Sequence, residues 1–303
     1  MTLSTLFWIL LLQFLFGLNY LVSKDVLIHY PPSVWAAMRA SFTAISLIFY
    51  LALKGQLQLS QVKAHRKSLL RLAFLGVVLN QSCYLLGLKL TTPYNSALIN
   101  TLIPLFTLAV AFFTKSEKLL LRQALAFMIA LLGVWSLHPL SQFTWSNQTL
   151  LGDGLTVVNV AAYSSYLVLS RPLLKTQSPI WVTAWVFLLG SVGLIGLSLA
   201  DLTKTTLQLP TQSVFLTMAY GLVGGTLLPY LLLSFILTKT KSSTVALFVY
   251  LQPAIVGSLA YFFYGQHFSQ EAIIATTLIF FGIFLATAPN RLFNFLHKKD
   301  HTA

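Results

Sequence analysis

The chain has 303 residues, of which 57% are hydrophobic and 8% charged, and its mean hydropathy is +0.80. An ordinary globular chain carries about 25% charged residues, so this composition excludes a soluble domain. The net charge of +13 would suggest nucleic acid in a soluble protein. Here the charge lies in short segments between apolar runs, where membrane topology accounts for it and no nucleic-acid partner is expected.

In chain order the apolar runs fall at about 5–22, 33–53, 69–88, 93–113, 120–138, 152–169, 180–200, 212–236, 244–263 and 271–288. A bilayer span needs about 20 mainly apolar residues, and in hydrocarbon the backbone must satisfy its own hydrogen bonds, so each run reads as a helix. The sequence predicts an all-α membrane protein of ten transmembrane helices in the lipid bilayer. Residues 1–22 lack a basic leader and a small-residue cleavage site, so they read as an uncleaved first span. The polar segments 54–68 and 139–151 read as connections, and 289–303 as a cytoplasmic basic tail. The single cysteine, Cys83, leaves no internal disulfide and no multi-cysteine metal site.

Lys and Arg set the orientation. Fifteen of the 19 follow even-numbered spans, three (Lys24, Lys89 and Lys204) follow odd-numbered ones, and Arg39 lies within span 2. This strict alternation places both termini in the cytoplasm. Trp8, Trp35, Trp145 and Trp181 fall near span ends, where interfacial aromatic belts are expected.

The two halves repeat each other. Pro104 lies 13 residues before Glu117 and Pro253 lies 13 before Gln266, while Gly133 and Gly282 each follow their proline by 29 residues. Ala97-Leu98 matches Ala246-Leu247 at the same offset, and Tyr20-Leu21-Val22-Ser23-Lys24 echoes Tyr166 to Arg171 with one insertion. The units are 1–138 and 150–288, with five spans each. Because five is odd, the second unit enters the membrane inverted relative to the first, and a binding site is expected near mid-membrane between them.

These residues resemble the EamA family of the drug/metabolite transporter superfamily. The first half has Tyr84-Leu85-Leu86-Gly87-Leu88, Asn95-Ser96-Ala97-Leu98-Ile99, Pro104, Glu117-Lys118-Leu119 and Gly133-Val134. The second has Gly152-Asp153, Gly224-Gly225-Thr226, Ser243-Thr244-Val245-Ala246, Pro253 and Gly282. Phe16-Gly17 stands where the family commonly has Trp-Gly, and Gly265-Gln266 where it usually has Gly-Glu. The resemblance implies a ten-span carrier of small metabolites, often an exporter, in a bacterial cytoplasmic (inner) membrane.

Among candidate functional residues, Arg39 comes first, because an ionisable group inside a span is costly. It is either a fixed cation for a substrate carboxylate or an arginine that snorkels or pairs helices. Lys24 and Asp25 end span 1, where they are expected to reach water. No Asp, Glu or His falls at the middle of a span, which gives carboxylate proton relays no support, and no histidines are spaced as a metal pair.

Uncharged polar residues recur within the spans: Asn80, Gln81 and Tyr84; Asn95 and Asn100; Asn159 and Tyr163; Thr226 and Tyr230; Tyr250 and Gln252. Residues four apart share one helix face. Facing lipid, an amide or hydroxyl would cost roughly 2–7 kcal/mol, so these groups are expected inside, either as glue between helices or as the walls of a substrate cavity. Amides with tyrosines suit a zwitterionic or amphipathic solute.

Pro104, Pro229 and Pro253 free the carbonyls of Asn100, Gly225 and Val249, which need partners at depth. Pro104 and Pro253 are candidate hinges and Glu117 a candidate gate residue. The expected function is alternating-access carriage of amino acids or related amphipathic solutes, as monomer or homodimer, with no cofactor and no metal. A channel-like facilitator, an uptake carrier and a membrane-embedded enzyme are the alternatives.

Overall fold

The computed structural model describes residues 3–115, 147–203, 209–265 and 270–287, with residues 125, 128, 129, 132 and 133 between them. Most of expected span 5, Glu117, Trp145 and the basic tail 289–303 lie outside the described residues.

The described residues form no strand, and their unbroken stretches make nine helical columns: α1 Leu3–His29, α2 Pro32–Leu53, α3 Leu59–Leu90, α4 Pro93–Phe113, α5 Gln148–Leu174, α6 Pro179–Leu202, α7 Gln212–Lys239, α8 Ser242–Phe263 and α9 Gln270–Thr287. Residues 125, 128, 129, 132 and 133 are also helical. Seven of them, all but α5 and α9, are long and apolar enough to cross a membrane. In α5 the shortfall is composition, not length. Its buried positions include Asp153, Thr156, Asn159, Ser164 and Ser170.

Local chemistry starts the helices. Pro at the first turn costs nothing where the backbone N–H has no intrahelical acceptor, and Pro32, Pro93 and Pro179 each occupy that place. Thr92 and Ser178 cap the following helices through their side-chain oxygens, to Asn95 N and Trp181 N. The segment 54–68, expected as a connection, is helical from Leu59. Nothing between Gln56 and Leu75 breaks a helix. At 1.5 Å per residue α3 is about 48 Å long, longer than the roughly 30 Å hydrocarbon core, so its exposed start, with Lys63, Arg66 and Lys67, extends beyond the bilayer.

Four columns are interrupted in a matched way. α3 contains a π-helical stretch at Phe74–Leu79 and α7 one at Val223–Leu227, starting 149 residues apart. α4 breaks after Asn100 and resumes at Ile103 with Pro104 in its first turn. α8 passes through a 3-10 turn, Phe248–Tyr250, just before Pro253. Each proline thus begins a new helical segment, where its missing N–H is tolerated. Pro104 and Pro253 are also 149 residues apart.

The helices pack α2 against α6, α3 against α5 and α6, α4 against α5, and α1 against α7 and α8. α3 and α5 approach backbone to backbone at Gly87 and Gly152. A Cβ on Gly87 would lie 2.8 Å from the Gly152 carbonyl oxygen, and one on Gly152 would lie 2.8 Å from that of Gly87. Small residues permit such crossings in membranes. Outward faces carry exposed Phe49, Phe113, Phe215 and Phe262, as a lipid-facing surface should. Two tryptophans depart from the belt expectation. Trp35 and Trp181 are buried, because Trp35 packs against Gly221 and Trp181 donates from its indole to the Leu57 carbonyl at 3.0 Å.

Candidate functional site

The polar residues of seven helices converge on one cavity of about 60 Å3. α1 contributes Phe16, Asn19 and Tyr20, α2 contributes Arg39, and α3 contributes Asn80, Gln81 and Tyr84. α4 adds Asn100 and Ile103, α5 adds Asn159 and Tyr163, α7 adds Tyr230 and α8 adds Gln252. Among these described lining residues Arg39 is the one charged side chain.

Arg39 is 1% exposed, so it does not snorkel. Its Nε donates to Thr226 Oγ1 at 2.6 Å, one terminal nitrogen to Ser23 Oγ at 3.2 Å, and the other to the Gly225 carbonyl at 2.9 Å. All three acceptors are uncharged. The guanidinium carbon also lies 5.8 Å from the Trp35 ring centre and 5.9 Å from that of Tyr84, within cation–π range.

The Gly225 carbonyl is free for a reason written in the sequence. In an α-helix it would accept from residue 229, but Pro229 has no N–H. The π stretch re-aims the same turn, with Thr226 Oγ1 donating to the Gly221 carbonyl at 2.8 Å. A proline four residues on thus supplies the oxygen that helps hold the cation in place.

Three further sets of hydrogen bonds complete the walls. Tyr20 Oη donates to Gln252 Oε1 at 3.1 Å, and Gln252 Nε2 donates to Gln13 Oε1 at 2.7 Å, tying α1 to α8. Asn19 Nδ2 donates to the Tyr84 hydroxyl at 3.1 Å, and Ser23 donates to Asn19 Oδ1 at 3.1 Å. On the other side, Asn80, Asn100, Asn159, Tyr230 and Gln81 form a connected chain. Phe16 meets the rings of Tyr163 and Tyr230 edge-on, with centres 6.3 and 6.0 Å apart.

Of the residues expected at a site, Arg39, Asn80, Gln81, Tyr84, Asn100, Asn159, Tyr163 and Tyr230 line the cavity. Thr226 lies behind Arg39 and positions it. Asn95 is half-buried in the capped first turn of α4, and Tyr250 is buried beside Phe280, with ring centres 6.3 Å apart. Neither is in the lining. Pro104 is buried one residue after the lining Ile103, and Pro253 directly follows Gln252. Gln252, one of the polar groups expected inside, also lines the cavity, and Phe16, Asn19, Tyr20 and Ile103 line it without having been expected there. The pair Asn19 and Ser23, four apart inside an apolar run, was a usable signal. Lys24 is not simply solvated at the end of span 1: its Nζ donates to the carbonyls of Leu88, Lys89 and Thr91 at 2.8, 3.0 and 2.6 Å, capping the end of α3. Among the described residues no cluster of His, Cys, Asp or Glu could hold a metal.

The sequence profile of the EamA-like transporter family matches residues 3–137 and 150–288. The chain belongs to the EamA-like transporter family. Its similarities to individual members are more distant. It is 25% identical over 282 residues to the uncharacterized transporter YyaM of Bacillus subtilis, covering 91% of each chain. It is 25% identical over 217 residues to an uncharacterized transporter of Archaeoglobus fulgidus, covering 72% of this chain and 74% of that one. A WAT1-related protein of Arabidopsis thaliana is 23% identical over 300 residues, with 87% and 79% covered. One solved crystal structure superposes with a TM-score of 0.68 at 16% identity, over 95% of this chain and 97% of the other, which shows a shared fold. An integral membrane transporter is therefore the common description of the family and of this chain.

Proposed function

We propose that this EamA-family transporter is a carrier, not an enzyme or a channel, that exports amino acids or related small amphipathic solutes by alternating access through the cavity around Arg39. The observation that carries the reading is the cavity itself: a buried cation with three uncharged oxygens as partners, enclosed by amides and tyrosines from seven helices. Small-molecule sites usually enclose about 300–1,000 Å3, and this one holds about 60 Å3. Loading a metabolite therefore requires the helices to part, as a carrier's cycle does and a standing pore does not.

In this reading the chain has ten spans in two inverted five-helix units, lies in the inner membrane as a monomer or homodimer, and keeps both termini in the cytoplasm. The 149-residue offset shared by the π stretches and the helix-breaking prolines supports two equivalent units. Pro104 and Pro253 are the hinges. Uptake through the same cavity is the alternative direction.

The test is flux in reconstituted vesicles. Radiolabelled amino acids should move with saturable kinetics, and inside-out vesicles should load faster than right-side-out ones. Flux that rises linearly with concentration over the millimolar range would establish a channel instead.

A further inference from the structure

The amide chain beside Arg39 has a direction, and one end of it is fixed. Asn100 Nδ2 donates to the Ser96 backbone carbonyl at 2.8 Å, an oxygen that can only accept. Asn100 must then turn its Oδ1 the other way, where it accepts from Asn159 Nδ2 at 3.0 Å. Asn159 Oδ1 in turn accepts from Asn80 Nδ2 at 2.6 Å. That leaves Asn80 Oδ1 to accept from the Tyr230 hydroxyl at 2.8 Å. The one phenolic proton is now used, so the Tyr230 oxygen accepts from Gln81 Nε2 at 2.9 Å. Each bond removes the O/N ambiguity of the next amide.

What remains at the far end is Gln81 Oε1. It is buried and has no hydrogen-bond partner, on a side chain that is 2% exposed and lines the cavity. Turning Gln81 over would set its oxygen against a tyrosine oxygen whose proton is already given to Asn80. The relay therefore leaves a bare, buried acceptor on a side chain that lines the cavity, in a site whose one charged group among the described lining residues is a cation. A buried acceptor of this kind is complementary to an N–H donor and is left unmet by a solute without one.

Resting on the carrier reading above, we propose that Gln81 Oε1 is the subsite for the ammonium, or another N–H donor, of the transported solute, while Arg39 takes its anionic end. Asn80, Asn100, Asn159 and Tyr230 act as positioning residues that keep the oxygen of Gln81 unpaired until the helices part and a donor reaches it. Recognition is then two-pointed. A lone amine meets the field of Arg39 with nothing to offset it, and a lone carboxylate leaves Gln81 unpartnered.

Three probes with one carbon skeleton separate these contributions: L-leucine, 4-methylpentanoate, which lacks the ammonium, and 3-methylbutylamine, which lacks the carboxylate. Binding to the purified full-length protein by calorimetry should be at least about tenfold tighter for leucine than for either analogue. Gln81→Leu should weaken leucine by about tenfold, to the level of 4-methylpentanoate, whose own affinity stays unchanged. If that variant does not fold, the wild-type series decides alone. Equal binding of leucine and 4-methylpentanoate, or of leucine and 3-methylbutylamine, overturns the proposal, as does failure of all three to bind. Absence of saturable flux for any metabolite overturns the carrier reading instead, so the two fail separately.

Discussion

Arg39 shows how much of a residue's placement in an apolar helix the sequence leaves open. Its side chain is long enough to reach the interface, so snorkelling was open on sequence grounds. What decides against it is a set of acceptors that no local window reveals, on Ser23, Gly225 and Thr226. Replacing Arg39 by Met removes a buried cation, whose desolvation disfavours the fold. It also strips the Gly225 carbonyl of its partner, at about 1–3 kcal/mol. These effects oppose each other. Arg39→Met should therefore reach the membrane at near-normal abundance, by immunoblot, while vesicle flux falls at least about tenfold. Arg39→Lys keeps the charge but cannot span three separate acceptors with a planar fork, so it should retain only part of the flux. Near-normal flux in Arg39→Met would reduce the arginine to a helix-pairing role.

The pairs Asn80/Tyr84 and Asn159/Tyr163 were legible because a four-residue spacing of polar groups has no other use inside a span than to face the bundle interior. Gln13 and Asn19 were less so, and Gln252 was legible as an interior group but not in its pairing with Gln13. Gln13 and Gln252 are isolated amides whose partners are 239 residues apart in sequence, and spacing rules cannot reach across that distance. Tyr250 misled for the converse reason: burial and polarity do not say which side of a helix faces the cavity.

At the level of elements, the informative feature of α7 is the conjunction of a π stretch with Pro229. Sequence indicated that Pro229 frees the Gly225 carbonyl and that this oxygen needs a partner; it could not name Arg39 as the partner. Pro229→Ala returns an N–H that can reach Gly225 O and compete with the guanidinium. The variant should be about as stable as the parent, since Pro229 stands in the first turn of the α segment that follows the π stretch, where a missing N–H costs little. Its flux should nevertheless fall, by about tenfold if one charged hydrogen bond is lost. Thermal unfolding and flux measured on the same preparation check this, and unchanged flux would uncouple the proline from the site.

The α3–α5 crossing makes a different demand. Any side chain at Gly87 meets the Gly152 carbonyl oxygen of α5 at 2.8 Å and the Thr156 hydroxyl at 2.9 Å, and the backbone atom cannot yield. Overpacking of this kind costs typically 1–3 kcal/mol. Gly87→Val should lower the melting temperature and the abundance in membranes, whereas Gly196→Val, at a glycine with open space around it, should do neither.

For the whole molecule, the fold class was legible in bulk composition, and the span count rests on charge alternation, a property of segments that hydropathy alone treats as gaps. The two kinds of reasoning part company at α5, whose interior-facing Asn, Ser and Thr lower its apolar content although its 27 residues are ample at 1.5 Å each to cross a core of about 30 Å. The other crossing to be tested is 120–138, most of which lies outside the described residues. The inverted repeat depends on both crossings, because five spans per unit invert the second unit and four would not. Single cysteines on a Cys83→Ser background resolve them. Thr114 and Gln148, both exposed, flank the segment 120–138, and exposed Thr176 follows α5. In intact cells a membrane-impermeant thiol reagent should label Gln148→Cys and spare Thr114→Cys and Thr176→Cys, and permeabilised cells should label all three. Labelling of Thr114→Cys together with Gln148→Cys from the same side would remove a crossing from the first unit. It would leave an even number of spans there, and the two prolines would then face each other across a parallel, not an inverted, pair.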